Sequence, residues 1–225
     1  MSSTQRLAIF DLDNTLLAGD SDHAWGDFLI NRRVVDGKHY KATNDQFYRD
    51  YTAGRLDIRA YLEFALKVLS EHPKQRLDVW HEEFMNEVIE PMILPKAEAL
   101  IAQHRKVGEY LLIITATNDF VTRPIAERLG VDALIATTAE FVDGRYTGRV
   151  AGTPCYREGK VTRLNEWLQQ TGHTLERSTF YSDSHNDIPL LEAVDYAIAV
   201  DPDEELRRIA RERHWRIMSL RNAHP

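Results

Sequence analysis

Short apolar runs recur along the chain, and between them apolar residues return every three or four positions. Leu7-Ala8-Ile9-Phe10, Tyr110-Leu111-Leu112-Ile113-Ile114 and Tyr196-Ala197-Ile198-Ala199-Val200, with weaker runs at 133–136 and 178–181, have the length of buried strands. Helical periodicity occupies 97–107, 120–129, 160–170 and 187–193. Strands alternating with helices predict an α/β fold, a parallel sheet wrapped by helices. Gly130 and Gly172 follow helical stretches and read as stops. Residues 140–150 read as a β-hairpin turning at Asp143-Gly144. The stretch 17–90 breaks the alternation. It reads as all-helical, rich in aromatics, and bracketed at its return by Pro91 and Pro95. The expectation is an inserted helical lid over 17–90, hinged near 17–20 and 88–94, on a core formed by 1–16 and 91–225.

Composition narrows the partners. The 225 residues are 43% hydrophobic and 28% charged, an ordinary globular balance. A net charge of −7 without a basic run argues against nucleic acid. Arg207, Arg208, Arg211 and Arg213 alternate with Glu204, Glu205 and Glu212 and read as one solvated helix face. No run approaches the ~20 apolar residues of a membrane span. The polar start, Met1 to Arg6, lacks a signal-peptide stretch. The single cysteine, Cys155, permits no intrachain disulfide and reads as structural. A cytoplasmic monomer or homodimer is expected, with no membrane partner. The nine histidines show no metal-ligand spacing, so zinc is not expected.

The chemistry gathers where the predicted strands end. Asp11 and Asp13 follow the first strand, Thr115 the second, and Asp183 and Asp187 the run at 178–181; Lys160 opens a helix. Ligands of open α/β sheets bind at such carboxyl ends. Neighbouring carboxylates repel, and a cation or proton between them relieves the repulsion. Singly, each residue has a plain reading: an acidic turn, a helix cap, a solvated lysine. Their joint order is what carries weight.

In that order, Asp11-x-Asp13-x-Thr15, the strand-end Thr115, Lys160 and Ser182-Asp183-x-x-x-Asp187 resemble the four motifs of the haloacid dehalogenase superfamily of phosphohydrolases. The chain is most similar to its phosphoserine-phosphatase-like branch, which inserts a helical cap after the first motif. The Asp143-Gly144-x-x-Thr147-Gly148 hairpin also matches that branch. The resemblance implies a Rossmann-like core and a Mg2+-dependent phosphatase. It makes Asp11 the nucleophile and Asp13 the general acid and base, with Mg2+ on Asp11, the Asp13 carbonyl and Asp183. Thr115 and Lys160 would hold the phosphoryl oxygens, Asp187 would orient Lys160 or a metal-bound water, and Asn186 would brace Asp11.

Departures from the branch bear on the substrate. Where phosphoserine phosphatases carry a glutamate for the substrate ammonium, this chain has Asp20. Their cap arginine for the substrate carboxylate has no counterpart: the matching stretch is Leu62-Glu63-Phe64-Ala65-Leu66. A small cationic phosphorylated metabolite without a carboxylate is expected, met by Asp20, Asp22, His23 and Glu63, with Trp25 stacking on a ring and Asn118 at the strand end. Some proteins resembling this branch are histidinol-phosphatases of histidine biosynthesis, and histidinol phosphate fits the description. Phosphoserine, other phosphomonoesters, transfer to an acceptor other than water, and a non-catalytic phosphate-binding module are the alternatives.

Overall fold

The computed structural model describes residues 5–221, which leaves Met1–Thr4 of the polar start outside the description. In chain order the elements are β1 (Leu7–Phe10), α1 (Ser21–Asn31), α2 (Gly37–Thr52), α3 (Ile58–Glu71), α4 (Lys74–Phe84), a π-helical turn (Met85–Ile89) and α5 (Glu90–Met92). There follow α6 (Pro95–Lys106), β2 (Tyr110–Asn118), α7 (Asp119–Leu129), β3 (Ala133–Val142), β4 (Arg145–Ala151), α8 (Glu158–Thr171) and β5 (Thr179–Ser182). A 3-10 turn (His185–Asp187), α9 (Ile188–Leu191), β6 (Tyr196–Val200), α10 (Glu204–Glu212) and β7 (Arg216–Met218) complete the chain. The sheet order is β4-β3-β2-β1-β5-β6-β7. All neighbours are parallel except β3 and β4. The chain leaves β1 toward β2 and β3, then returns to its other side at β5, so β1 sits at the switch point of the sheet.

Alternation along β1 divides the core. Ala8 and Phe10 join one cluster, with Leu111 and Ile113 of β2 and with Ile101 of α6 and Ile125 of α7. Leu7 and Ile9 join the other, with Leu112, Ile114, Phe180, Leu164 of α8, Leu190 of α9 and Leu206 of α10. Successive strand side chains point to opposite faces, and each face is covered by helices. The stops fall as the sequence predicts. Gly130 and Gly172 adopt left-handed φ of 70° and 75° at the ends of α7 and α8. Asp143 and Gly144 both have positive φ, the geometry of a tight hairpin turn.

Some boundaries move. β2 runs on to Asn118 through a register shift after Ile114, so Thr115 lies within extended chain. β3 continues from its parallel partner β2 into the hairpin as one strand. The helix expected over 187–193 is only α9, because Asp187 closes a separate 3-10 turn. β7, three residues long, carries too short a pattern to be read from sequence.

The elements described between β1 and α6 are helices. Their entry and exit pair: Leu17 bridges Ile93, the Ala18 amide donates to the Met92 carbonyl at 2.7 Å, and Leu94 donates to Leu16 at 3.2 Å. Trp25, Phe28 and Phe84 of these helices belong to the same cluster as Phe10 and Leu111 of the sheet. Asp20 and Asp57 cap α1 and α3 with side-chain acceptors. Gly26 lets α1 and α2 approach, since a Cβ there would lie 2.4 Å from Asn44 Nδ2. No described helix is long and apolar enough to cross a membrane.

Gly159 sets the start of α8 against the preceding loop: a Cβ would lie 2.1 Å from the Pro154 carbonyl oxygen. Gly159→Ala must displace backbone next to Lys160. A loss of about 2–3 kcal/mol is expected, seen as a melting temperature lower by roughly 4–10 °C in a thermal scan.

Candidate active site

Three adjacent strands deliver the reactive side chains. β1 ends one residue before Asp11, β2 carries Thr115 and Thr117, and β5 ends one residue before Asp183. Lys160 reaches in from the first turn of α8. Its ammonium lies 2.7 Å from Asp11 Oδ1 and 2.8 Å from the Asp187 carboxylate, and its side chain is 2% exposed. Ser182 Oγ donates to Asp187 at 2.7 Å, which fixes that carboxylate from below. Thr15 Oγ1 lies 3.3 Å from Asp11 Oδ2 and 3.0 Å from Asp183 Oδ1, and it also accepts from the Asp183 amide. Asp11, Asp183, Asp187 and Lys160 thus meet in one place, as the sequence predicts.

Asp13 is held from two sides. Thr117 Oγ1 donates to its Oδ2 at 2.8 Å, while the Ser21 amide donates to its Oδ1 at 2.6 Å. Thr115 Oγ1 lies 3.5 Å from the same Oδ2. Thr115 and Thr117 are two apart in extended chain and so present one face. Ser21 opens α1, whose amino end favours a negative charge.

Negative charge exceeds positive in this pocket. Burial pushes the Asp11 carboxyl up to about 7; Lys160 opposes the rise, and Asp187 and Asp13 add to it. Burial, then the charge of Asp20, raises Asp13 to about 6. Asp183 is raised well above the usual range by burial and by Asp11 and Asp187. Burial acts to lower the Lys160 ammonium, but Asp11 and Asp187 more than reverse it, so the net shift is upward. All-oxygen donors with an uncompensated negative charge suit a hard divalent cation. Asp11, Asp183 and the Asp13 backbone fit such an ion by their chemistry.

A cavity opens from Asp11, Asp13, Thr115, Ala116 and Thr117 toward the helices. Asp20, Asp22 and His23 of α1 line it, as do Phe47, Tyr48 and Tyr51 of α2 and Tyr61 of α3. Asp20, Asp22 and His23 therefore stand where the sequence reading put them. Asp20 accepts from the His23 amide at 2.8 Å, and Tyr61 donates its hydroxyl to Asp22. His23 Nε2 lies 2.8 Å from Asp45. Asp27, Asp45 and His23 cluster behind it, with the Lys41 ammonium 3.0 Å from both carboxylates as their counter-charge.

Four expectations need correction. Trp25 does not line the cavity: it stacks on Phe28 and meets Phe84 and Phe120 edge-on, buried in the apolar cluster. Glu63 is exposed, because Leu62, Ala65 and Leu66 are the residues that α3 turns inward. Asn118 caps α7 by accepting from Val121 and does not line the cavity. Asn186 does not reach Asp11. Its Nδ2 donates to the Tyr51 carbonyl at 3.2 Å, and its Oδ1 accepts from Tyr156 and from Arg157 Nε.

Arg157 extends this set, with Nη2 donating to the Gly54 carbonyl at 2.7 Å. The carboxyl end of α2 is thereby tied to the loops that carry Lys160 and Asp187. Gly54 is required twice over: φ is +64°, and a Cβ would lie 2.5 Å from His185 Nε2.

Sequence reasoning missed Thr117, Tyr61 and the α2 face. The α2 signal was present, since Asn44, Phe47, Tyr48 and Tyr51 recur at helical spacing. Tyr61 carried no comparable signal. Thr117 was readable only with β2 extended past Ile114.

The geometry agrees with comparisons to known proteins. The chain is 46% identical over 221 residues to a histidinol-phosphatase of Neisseria meningitidis serogroup C (strain 8013), covering 96% of this chain and 100% of that one. A crystal structure of a protein with unknown function from Bordetella pertussis Tohama I matches with a TM-score of 0.92 at 47% identity, covering 97% and 100% of the two chains. A phosphoserine phosphatase solved as a phospho-aspartyl intermediate analogue shares the fold, with a TM-score of 0.71 at 18% identity over 98% and 95%. The family model of haloacid dehalogenase-like hydrolases matches residues 8–192. That match begins inside β1, ends just past α9 and takes in Asp11, Asp13, Lys160 and Asp183: the chain belongs to the haloacid dehalogenase-like hydrolases.

Proposed function

We propose that the protein is a Mg2+-dependent phosphatase that hydrolyses histidinol phosphate through an aspartyl phosphate on Asp11. One observation carries the substrate. The cavity that begins at Asp11 and Asp13 is lined by Asp20 and Asp22, with no arginine or lysine among its lining residues. A leaving group bearing an ammonium and no carboxylate suits that lining. The histidinol-phosphatase relative supports the same reading.

In this mechanism an Asp11 carboxylate oxygen attacks phosphorus, and the bond from phosphorus to the ester oxygen breaks. Asp13 gives its proton to the departing alkoxide, then takes one from the water that attacks the aspartyl phosphate. Inorganic phosphate leaves and Asp11 is restored. An Asp13 carboxyl raised to about 6 is suited to both transfers near neutral pH. Lys160 and Thr115 hold the phosphoryl oxygens, and Asp187 keeps Lys160 in place. Mg2+ on Asp11, the Asp13 carbonyl and Asp183 would offset the charge between the anionic nucleophile and the anionic phosphate.

Phosphoserine is the second reading, favoured by the shared fold. Its carboxylate would enter beside Asp20 and Asp22 without a guanidinium to meet it. An unpaired buried charge costs on the order of 3–5 kcal/mol.

Two tests follow. In a panel of small phosphomonoesters with Mg2+, histidinol phosphate should exceed phosphoserine in kcat/KM by at least ~100-fold. Asp11→Asn should lower turnover by roughly 10⁴ or more with the circular dichroism spectrum unchanged. Equal rates on the two substrates, or near-normal activity of Asp11→Asn, would refute the proposal. A further test reads stability without substrate. Burial, then Asp22, raises Asp20 to about 6; burial raises Asp22 to about 7, with Tyr61 opposing and Asp13 adding. Both folded values lie above the unfolded 3.8. Their contribution to stability is complete below that value and is lost as pH rises through 6 to 7. The melting temperature of the free protein should therefore fall between about pH 4 and pH 7, and the double variant Asp20→Asn, Asp22→Asn should lessen that slope.

A further inference from the structure

Asp20 and Asp22 are neighbours in sequence, yet they are held by different parts of the molecule. Asp20 caps α1 through the His23 amide, one residue from the Ser21 amide that grips Asp13. It stands at the reacting end of the cavity. Asp22 is turned toward α3, where the Tyr61 hydroxyl donates to it, and it is 7% exposed. Tyr61 is its only side-chain hydrogen-bond donor among the described residues, and no described lysine or arginine pairs with it. Tyr61 and Phe47 both line the cavity, their rings 5.4 Å apart edge-to-face, and Leu56 and Ile58 add to its apolar wall. A flat group with one N–H fits between apolar walls that end in a carboxylate.

Resting on the function proposed above, we infer that Asp22, oriented by Tyr61, is the specificity residue that accepts the ring N–H of the substrate's imidazole, while Asp20 takes the ammonium. The order along the substrate matches the order along the cavity. In histidinol phosphate the amine sits on the carbon next to the ester CH2, and the ring lies one CH2 farther out. Asp20 is the neighbouring charge that acts most on Asp13, which protonates the ester oxygen; Asp22 is held by Tyr61 toward α3 and the Phe47–Tyr61 wall. Tyr61 fills one acceptor position of Asp22 and leaves the others to the ligand. Tyr61 acts through Asp22, so it is a positioning residue.

The test compares substrates that lack one nitrogen group or the other. Histidinol phosphate carries both, 2-aminoethyl phosphate has no ring, and 3-(imidazol-4-yl)propyl phosphate has no amine. In Asp22→Asn the kcat/KM preference for histidinol phosphate over 2-aminoethyl phosphate should fall on the order of 30-fold, chiefly through KM. In Asp20→Asn the preference for histidinol phosphate over the propyl phosphate should fall instead. Tyr61→Phe should follow Asp22→Asn with a smaller loss, and melting temperatures near wild type keep a folding defect from imitating either result. If Asp22→Asn keeps the wild-type preference for the ring, the assignment is wrong while the proposed function stands. If the wild-type enzyme hydrolyses other phosphomonoesters but not histidinol phosphate, the function and the assignment fall together.

Discussion

The Lys160 ammonium lies between two buried carboxylates, and the rest of the site depends on that arrangement. Asp11 arrives from β1, Asp187 from the turn after β5 and Lys160 from α8, so the contact joins three separate parts of the chain. Removing the cation would leave carboxylates facing each other in a space that excludes water, and a broken buried pair costs several kcal/mol, roughly 3–5. One lysine does not neutralise the pocket. Burial first, and then the neighbouring carboxylates, keep the carboxyls of Asp11, Asp13 and Asp183 raised. The folded chain holds a charge imbalance that a divalent cation and a cationic leaving group would each relieve.

That imbalance continues beyond the sheet. The helices between β1 and α6 could have closed the site with an apolar surface; instead α1 turns Asp20 and Asp22 toward the cavity. Aromatic residues are divided between two tasks by helical phase. On α1, Trp25 and Phe28 face the shared core, while on α2, Phe47, Tyr48 and Tyr51 face the cavity. The same residue type thus builds both the packing and the wall.

The acidic cluster of the candidate site was legible because its residues belong to short-range motifs tied to strand ends. Asp11, Asp13, Asp183 and Asp187 occupy positions that a strand-turn pattern predicts, Lys160 opens a helix, and the fold brings them together. The helical residues were harder to read. Trp25 and Phe47 look alike in sequence, and only the packing angle of α1 against α4 and α7 decides that the first is core. Glu63 was placed by comparison with an arginine stretch, but the phase of α3 turns it to solvent. Asn186 sits next to Asp187 in sequence, yet in a 3-10 turn adjacent side chains diverge, and it reaches Tyr51 rather than Asp11.

The two-sided grip on Asp13 has a consequence for how the protein can be dissected. One grip comes from β2, the other from the first amide of α1. A shortened chain without α1 to α5 would keep Asp11 and Asp183 at the strand ends and Lys160 on α8 but lose the Ser21 amide. Such a remnant would hold Asp13 from β2 alone, and under the mechanism proposed above both of its proton transfers, to the departing alkoxide and from water, would lose their aim. On that proposal the helices between β1 and α6 take part in both halves of the reaction cycle.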